Sequence, residues 1–260
     1  MKSRRPPIAG FLLFHLRGLL AGKKPNGKRM LKQAMDFTRN LAKRRKDVLV
    51  YVGLHTGRSF RPLFHRYRVC YGFEANPELF AELQEEYRSC PNVRLFNLAA
   101  ADRDGEIEFN ITSNDGGASS SIGRLDENFN DEIRIVKTIR VPCVNLCRFL
   151  EQQGVDYIDD YISDIQGMDL EVLKTLEPLI RRGRIGSISC EVTKDKYRNC
   201  YSDLPDNHEA AFNRLLSANY TLAAKGWGIL KDGQFNEVPE HWWEMDCKWN
   251  LKRRPPATRR

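Results

Sequence analysis

The run Val48-Leu49-Val50-Tyr51-Val52-Gly53-Leu54-His55-Thr56-Gly57 decides the fold, together with Glu74, which follows Gly53 by 21 residues within Tyr71-Gly72-Phe73-Glu74-Ala75-Asn76-Pro77. An apolar, β-branched run that ends in two glycines reads as a buried parallel strand turning tightly toward a helix. A second apolar run, Val69 to Phe73, ends in a carboxylate. In nucleotide-binding α/β sheets two such strands lie side by side, so turn and acid face one crevice at the strands' carboxyl ends. Glycine lets backbone N–H groups approach a ligand, and the acid can accept from both hydroxyls of a ribose. That pairing implies an adenosine-containing cofactor.

The glycine spacing is G-x-x-x-G. A dinucleotide site wants G-x-G-x-x-G with its pyrophosphate on a helix N-terminus, and Arg58 is the only obvious charge complement nearby. S-adenosylmethionine carries no phosphate and needs only a loose turn around its methionine half.

Outward from these two strands, apolar runs and helical patterns alternate. Strands are predicted at 48–52, 69–74, 93–98, 158–163 and 185–192, with helices near 58–66, 77–88, 168–181 and 206–218. Such alternation specifies a doubly wound, mostly parallel sheet. Asn76-Pro77 starts its helix well, since Asn caps and Pro at the first position gives up no useful N–H. Between the third and fourth strands, Glu106 to Ile111 and Ile133 to Val141 alternate as a hairpin would. They flank the Ser/Gly-rich loop Thr112 to Asp126, long enough to be a lid or merely to be mobile. After helix 206–218, Tyr220 to Leu230 and Trp242 to Trp249 read as an antiparallel edge hairpin, for seven strands in all.

The net charge of +8 hides a division. Residues 1–47 form a basic helical arm of net +12 and residues 252–260 a basic tail of net +5, so the body, 48–251, has a net of −9. A phosphate track needs a basic face, so the body is not expected to bind nucleic acid. In the arm, Ile8 to Leu20 is too short and too polar to span a bilayer. It reads first as a helix packed on the domain or a partly disordered arm, and second as a helix lying on a membrane surface. The seven cysteines are odd in number and contain no C-x-x-C pair, which fits a reduced, cytoplasmic protein, membrane-peripheral if the arm is so used. No metal-ligand cluster is visible, and no metal is expected.

Five ordered blocks resemble the FkbM-type methyltransferase family over roughly residues 48–192: VYVGLHTGRSF, GFEANPELFAELQ, NVRLFNLAAADRDGEIEF, VPCVNLCRFLEQQGVDYIDDYISDIQGMDLEVLKTL and ISCEV. The resemblance implies a class I, Rossmann-like fold that binds S-adenosylmethionine and O-methyl transfer, frequently to hydroxyls of sugars, glycans, glycolipids or secondary metabolites. The acceptor expected is therefore a hydroxyl-bearing small molecule or glycan.

The cofactor side would comprise Gly53, Gly57, Glu74 as ribose acceptor, Asn76, and Ala100 and Asp102 around the adenine, with Asp164 holding the ammonium. Asp164 and Glu191, each closing a strand, are the candidate bases. Gln166, His208 and Trp242 are candidates for the acceptor pocket, with His241 and Trp243 beside them. Each has a plainer use: Asp164 could cap helix 168–181, Glu191 could sit in a core ion pair, and Asn76 could serve only its helix. The chain departs from the family's pattern at three places. Gln166 stands where Asp-x-Glu-Gly has glutamate, His55 where asparagine is common, and Tyr51 where an acid usually supports the methionine ammonium. The departures at Tyr51 and Gln166 motivate a rival reading, a catalytically inactive binding or interaction module on the same fold. A dinucleotide oxidoreductase is disfavoured by the missing third glycine.

Overall fold

A computed structural model describes residues 46–126, 132–229 and 235–252. Residues 1–45 of the basic arm and the tail beyond Lys252 lie outside the described residues, as does the segment 230–234, whereas Lys46 and Asp47 begin the first strand of the body. No described helix is long and apolar enough to cross a membrane.

The main sheet has eight strands in the order β10-β9-β11-β8-β7-β1-β2-β3. Its strands are β1 (Lys46–Val52), β2 (Tyr67–Phe73), β3 (Val93–Phe96), β7 (Ile158–Ser163), β8 (Ile185–Thr193), β9 (Tyr220–Ile229), β10 (Phe235–Asn236) and β11 (Glu244–Leu251). From β3 to β8 every pairing is parallel. The chain builds outward from β1 to β3, then returns to the other side of β1 with β7. That reversal is the topological switch point at which open α/β sheets bind ligands. β11 runs antiparallel between β8 and β9, so the late antiparallel pair exists but the two-residue β10 forms the outer edge.

Both faces of the sheet are buried, as near-continuous apolar strands require. Along β1, Val50 and Val52 join the larger core with Leu170, Leu173, Ile188 and Phe212, while Leu49 and Tyr51 join Phe60, Leu83 and Tyr87 on the other face. Each fully buried aliphatic side chain of this kind contributes about 1.5–3 kcal/mol.

The helices are α1 (Pro77–Tyr87), α2 (Leu146–Gln152), α3 (Asp169–Thr175), α4 (Glu177–Arg181) and α5 (Glu209–Leu216). Asn76 caps α1 by accepting from the Glu78 N–H at 3.0 Å. Two helix expectations are corrected. Residues 58–66 form turns and one short 3₁₀ turn at Phe64–Arg66, because Pro62 supplies no N–H and disfavours helix at Arg61. The predicted helix 168–181 is broken after Leu176, where Pro178 opens α4.

The insertion is a separate three-stranded sheet, β4 (Ala99–Ala101), β6 (Ile135–Asn145) and β5 (Gly105–Thr112) in that order. β5 and β6 make the expected hairpin, and β4 adds a parallel strand on the far side of β6. All seven cysteines are buried.

Candidate active site

Gly53 ends β1 with φ +83°, and its N–H and that of Leu54 both donate to the Phe73 carbonyl, at 3.0 and 3.1 Å. The turn is thus sewn to the end of β2. The reason for glycine is nearer than any ligand. A Cβ at Gly53 would lie 1.9 Å from the Asp164 carbonyl oxygen, so the turn rests on the end of β7. At Gly57, φ +71°, a Cβ would meet Leu83.

Glu74 faces this bend. Its Oε2 accepts from the His55 N–H at 2.6 Å and its Oε1 from the Asn76 N–H at 2.8 Å. Burial pushes its carboxyl up to about 7, against those backbone hydrogen bonds, which favour the charge. The Ala75 backbone adds a third contact, and a carboxylate offers about four lone-pair sites, so room remains for a hydroxyl. Asn97 donates to the Glu74 and Ala75 carbonyls at 2.9 and 3.1 Å, fixing the chain beyond the acid.

The other expected cofactor residues are distributed differently. Asn76 is buried with its side-chain oxygen committed to α1. Ala100 packs into the main core. Asp102 is exposed and pairs with Arg103 at 3.1 Å. Tyr51 is buried edge-on to Phe60, their centroids 5.8 Å apart, and burial holds its hydroxyl protonated.

At the ends of β7 and β8 the structure brings Asp164, Gln166 and Glu191 together. The Gln166 Nε2 donates to Asp164 Oδ1 at 2.8 Å and to Glu191 Oε2 at 2.6 Å. Asp164 is exposed to solvent, yet desolvation by the protein around it still raises its pKa. The hydrogen bonds from Gln166 and with Glu191, and the nearby His55, oppose that rise. Glu191 is pushed well above the carboxylate range by burial, then by Glu244, Asp164, Asp169 and Asp246. Asp164 caps no helix: α3 begins at Asp169 without a side-chain cap. Asp169, fully buried, instead accepts from the Ser163 hydroxyl and holds the turn that follows β7.

Sequence reasoning missed several partners. Asp246 lies directly opposite Glu191 across the β8–β11 ladder, and Glu244 two residues along it. Residues two apart in a strand share a face, so the spacing Glu-x-Asp was the available signal. Both carboxyls are raised to about 7, by burial first and then by Asp164. Among the described residues none of Asp164, Glu191, Glu244 and Asp246 has an ion-pair partner. Tyr201 and Ser121, from distant loops, were not foreseen either. The loop read as a lid or mobile segment is fastened to the rim, since the Ser121 hydroxyl donates to the Gln166 carbonyl at 2.6 Å.

The remaining acceptor candidates have partners of their own. Both ring nitrogens of His208 are occupied, by Asp206 Oδ1 and the Tyr197 carbonyl, each at 2.7 Å. Trp243 stacks on Tyr197 at 5.4 Å. Trp242 is exposed just before β11, its ring 5.4 Å from that of Trp227 at the end of β9. A groove of about 560 Å³ between α3, α4 and α5 includes none of the strand-end acids in its lining. No group of three or more His, Cys, Asp or Glu among the described residues is arranged to hold a metal.

The family model described as the methyltransferase FkbM domain matches residues 51–222. The 2-O-methyltransferase NoeI of Sinorhizobium fredii (strain NBRC 101917 / NGR234) is 31% identical over 109 residues, 39% of this chain and 44% of that protein. The match thus spans less than half of the relative's length. Among solved structures, an rRNA methylase from Streptococcus thermophilus gives a TM-score of 0.44 at 9% identity, over 86% of this chain and 96% of that one. Fibrillarin from Aeropyrum pernix, bound to S-adenosyl-L-methionine, gives 0.41 at 11% identity, over 84% and 74%.

Proposed function

This chain belongs to the FkbM methyltransferase family, and from that premise we propose that it transfers a methyl group to a hydroxyl of a sugar, glycan or glycolipid. S-adenosylmethionine is the methyl donor. The residues fit it by charge: the donor carries a sulfonium and an ammonium, and the rim offers carboxylates without cationic partners among the described residues. Gly53, Gly57, Glu74 and Asn76 would hold the nucleoside half, with Ala100 and Asp102 toward the adenine. Asp164 would face the ammonium in place of the acid that Tyr51 replaces.

When bound, the donor supplies an electrophilic methyl carbon and departs with the electron pair of its broken carbon–sulfur bond. The chain's task is to align the acceptor oxygen and take its proton. An alcohol ionises far above neutral pH, so the proton must leave during attack. Asp164 and Glu191 are the groups assigned to receive it, and Gln166 can orient the hydroxyl but cannot take its proton. Alignment contributes several kcal/mol and a positioned base about 10²- to 10⁴-fold. The observation that carries this reading is the Asp164–Gln166–Glu191 cluster, backed directly onto the Gly53 turn. The exposed Trp242, beside Trp227, supports a sugar ring as acceptor, because a pyranose presents an apolar face to an aromatic one. His208 would act on that side only by ordering the loop before α5.

Incubation with methyl-labelled S-adenosylmethionine and a panel of sugars and glycolipids, read by mass spectrometry, is expected to give one labelled hydroxyl. Label on nitrogen alone, or on no acceptor, overturns the proposal. Calorimetric binding of the donor without turnover on any acceptor would favour the inactive module.

A further inference from the structure

Gln166 sits in an unusual backbone conformation. Its φ is +55°, a left-handed value that L-residues rarely adopt, and Gly167 follows at +95°. Strain of this kind persists only where the surroundings over-determine it. Here the backbone carbonyl of Gln166 is held by Ser121, and its amide nitrogen by two carboxylates. The ring of Tyr201 lies against Gly167, where a Cβ would meet its Cδ2 at 2.8 Å. Tyr201 is 1% exposed, and its hydroxyl lies 2.8 Å from Gln166 Oε1 and 3.0 Å from the Ser119 carbonyl.

An amide is nearly symmetric in shape but not in polarity. With the Tyr201 hydroxyl donating to Oε1, both amide hydrogens point at Asp164 and Glu191. Turned over, the amide would set its carbonyl oxygen against two carboxylate oxygens, while its NH₂ faced the tyrosine oxygen. The two carboxylates already disfavour the turned-over amide, and the single hydroxyl hydrogen of Tyr201, given to Oε1 at 2.8 Å rather than to the Ser119 carbonyl at 3.0 Å, adds to that preference.

We infer that Tyr201 is a positioning residue of the methyl-transfer site: by donating to the Gln166 carbonyl oxygen it aims the Gln166 amide hydrogens at Asp164 and Glu191 and keeps that pair ready to accept a proton. The inference rests on the O-methyl transfer reading and names a residue that acts on its base pair. The groups that also face the pair are His55 in the β1 turn, Asp169 on α3, and Glu244 and Asp246 on β11. None of them donates to both carboxylates, so loss of the amide contact has no substitute among these neighbours.

The test is Tyr201→Phe, which keeps the ring against Gly167 and removes only the hydroxyl. Two readouts are needed: the pH profile of kcat, and the titration of the Asp164 and Glu191 carboxyls followed by carbon-13 NMR in the protein bound to S-adenosylmethionine. A hydrogen bond to a charged group corresponds to about tenfold or more in an equilibrium. The variant is therefore expected to lose about tenfold in kcat on the acid side of the profile and to approach the wild type on its alkaline side, with KM for the donor unchanged. The carboxyl titration should move alkaline in parallel. A uniform loss across pH, or an unmoved titration, overturns the inference. Gln166→Met, which removes the amide, serves if Tyr201→Phe does not fold, and should show the same alkaline displacement. The double variant should be no worse than Gln166→Met alone, because the tyrosine acts only through the amide; additive losses overturn the inference. A wild-type protein that methylates no hydroxyl would refute the transfer reading, and the titration would still decide whether Tyr201 governs the pair.

Discussion

Asp160 and Asp164 lie four residues apart, one within β7 and one just past its end, and the protein treats them in opposite ways. Asp160 is buried against the Lys46 ammonium and the hydroxyls of Tyr67 and Ser187. Burial alone would raise its pKa, but Lys46 and these hydrogen bonds hold it below the carboxylate range. Asp164 shares an amide with Glu191, faces Glu244 and Asp246 nearby, and is raised. Where the fold needs a buried charge it supplies a cation and hydrogen bonds, as desolvation demands. At the rim it gathers acids that have no cationic partner among the described residues. The contrast sets the proposed base apart from the cation-paired acid on the same strand.

The strongest way to break this comparison is Asp164→Asn, for which kcat should fall about 10²- to 10⁴-fold while donor affinity changes by less than about tenfold. Near-normal turnover in single-turnover assays would remove Asp164 from the catalytic list. At the other end, Asp160→Asn should cost about 2–3 kcal/mol in urea unfolding, since hydrogen bonds to a charged group are lost, with turnover of the folded fraction retained. The sign of its pH dependence is set by the lowered pKa. The stabilisation is present above the unfolded value of about 3.9 and lost as pH falls through the folded value. The variant should lack that acid-side slope.

The rim predicts the reverse. Glu244 is raised to about 7 in the folded chain, against about 4.3 unfolded, so the native state holds the extra proton between them. Its contribution is full below the unfolded value and is lost as pH rises through about 7. Glu244→Gln should therefore stabilise the ligand-free protein above that pH by about 1 kcal/mol, or roughly 2–4 °C in Tm, discounted for its partial exposure. Near pH 4.5 it should gain nothing. The smallest effect belongs to Asp102→Asn, an exposed pair, which should shift stability by less than about 0.5 kcal/mol. A several-fold weaker donor affinity in calorimetry, at unchanged Tm, would isolate its proposed contact with adenine.

Much of this was legible in the sequence, for identifiable reasons. The parallel strands are β-branched runs closed by glycine or an acid, and position alone placed Glu74, Asp164 and Glu191 at strand ends. The failures are equally specific. Pro62 and Pro178 were present in the helical patterns that they interrupt, and their missing N–H groups decided the outcome. Gln166 was visible as a departure from the family's pattern, but its meaning depends on Tyr201 and Ser121, 35 and 45 residues away. No local periodicity records such a contact. Gly53 was read for a ligand's sake, whereas the carbonyl of Asp164 already fills the space a side chain would need.

That last contact has a mechanical consequence. The bend that would cradle the nucleoside and the strand end that carries the proposed base meet main chain to main chain at Gly53 and Asp164, leaving little slack to absorb displacement. Close-packed interiors transmit such movement rather than damping it. Seating of one ligand would thereby be felt at the strand end proposed to serve the other.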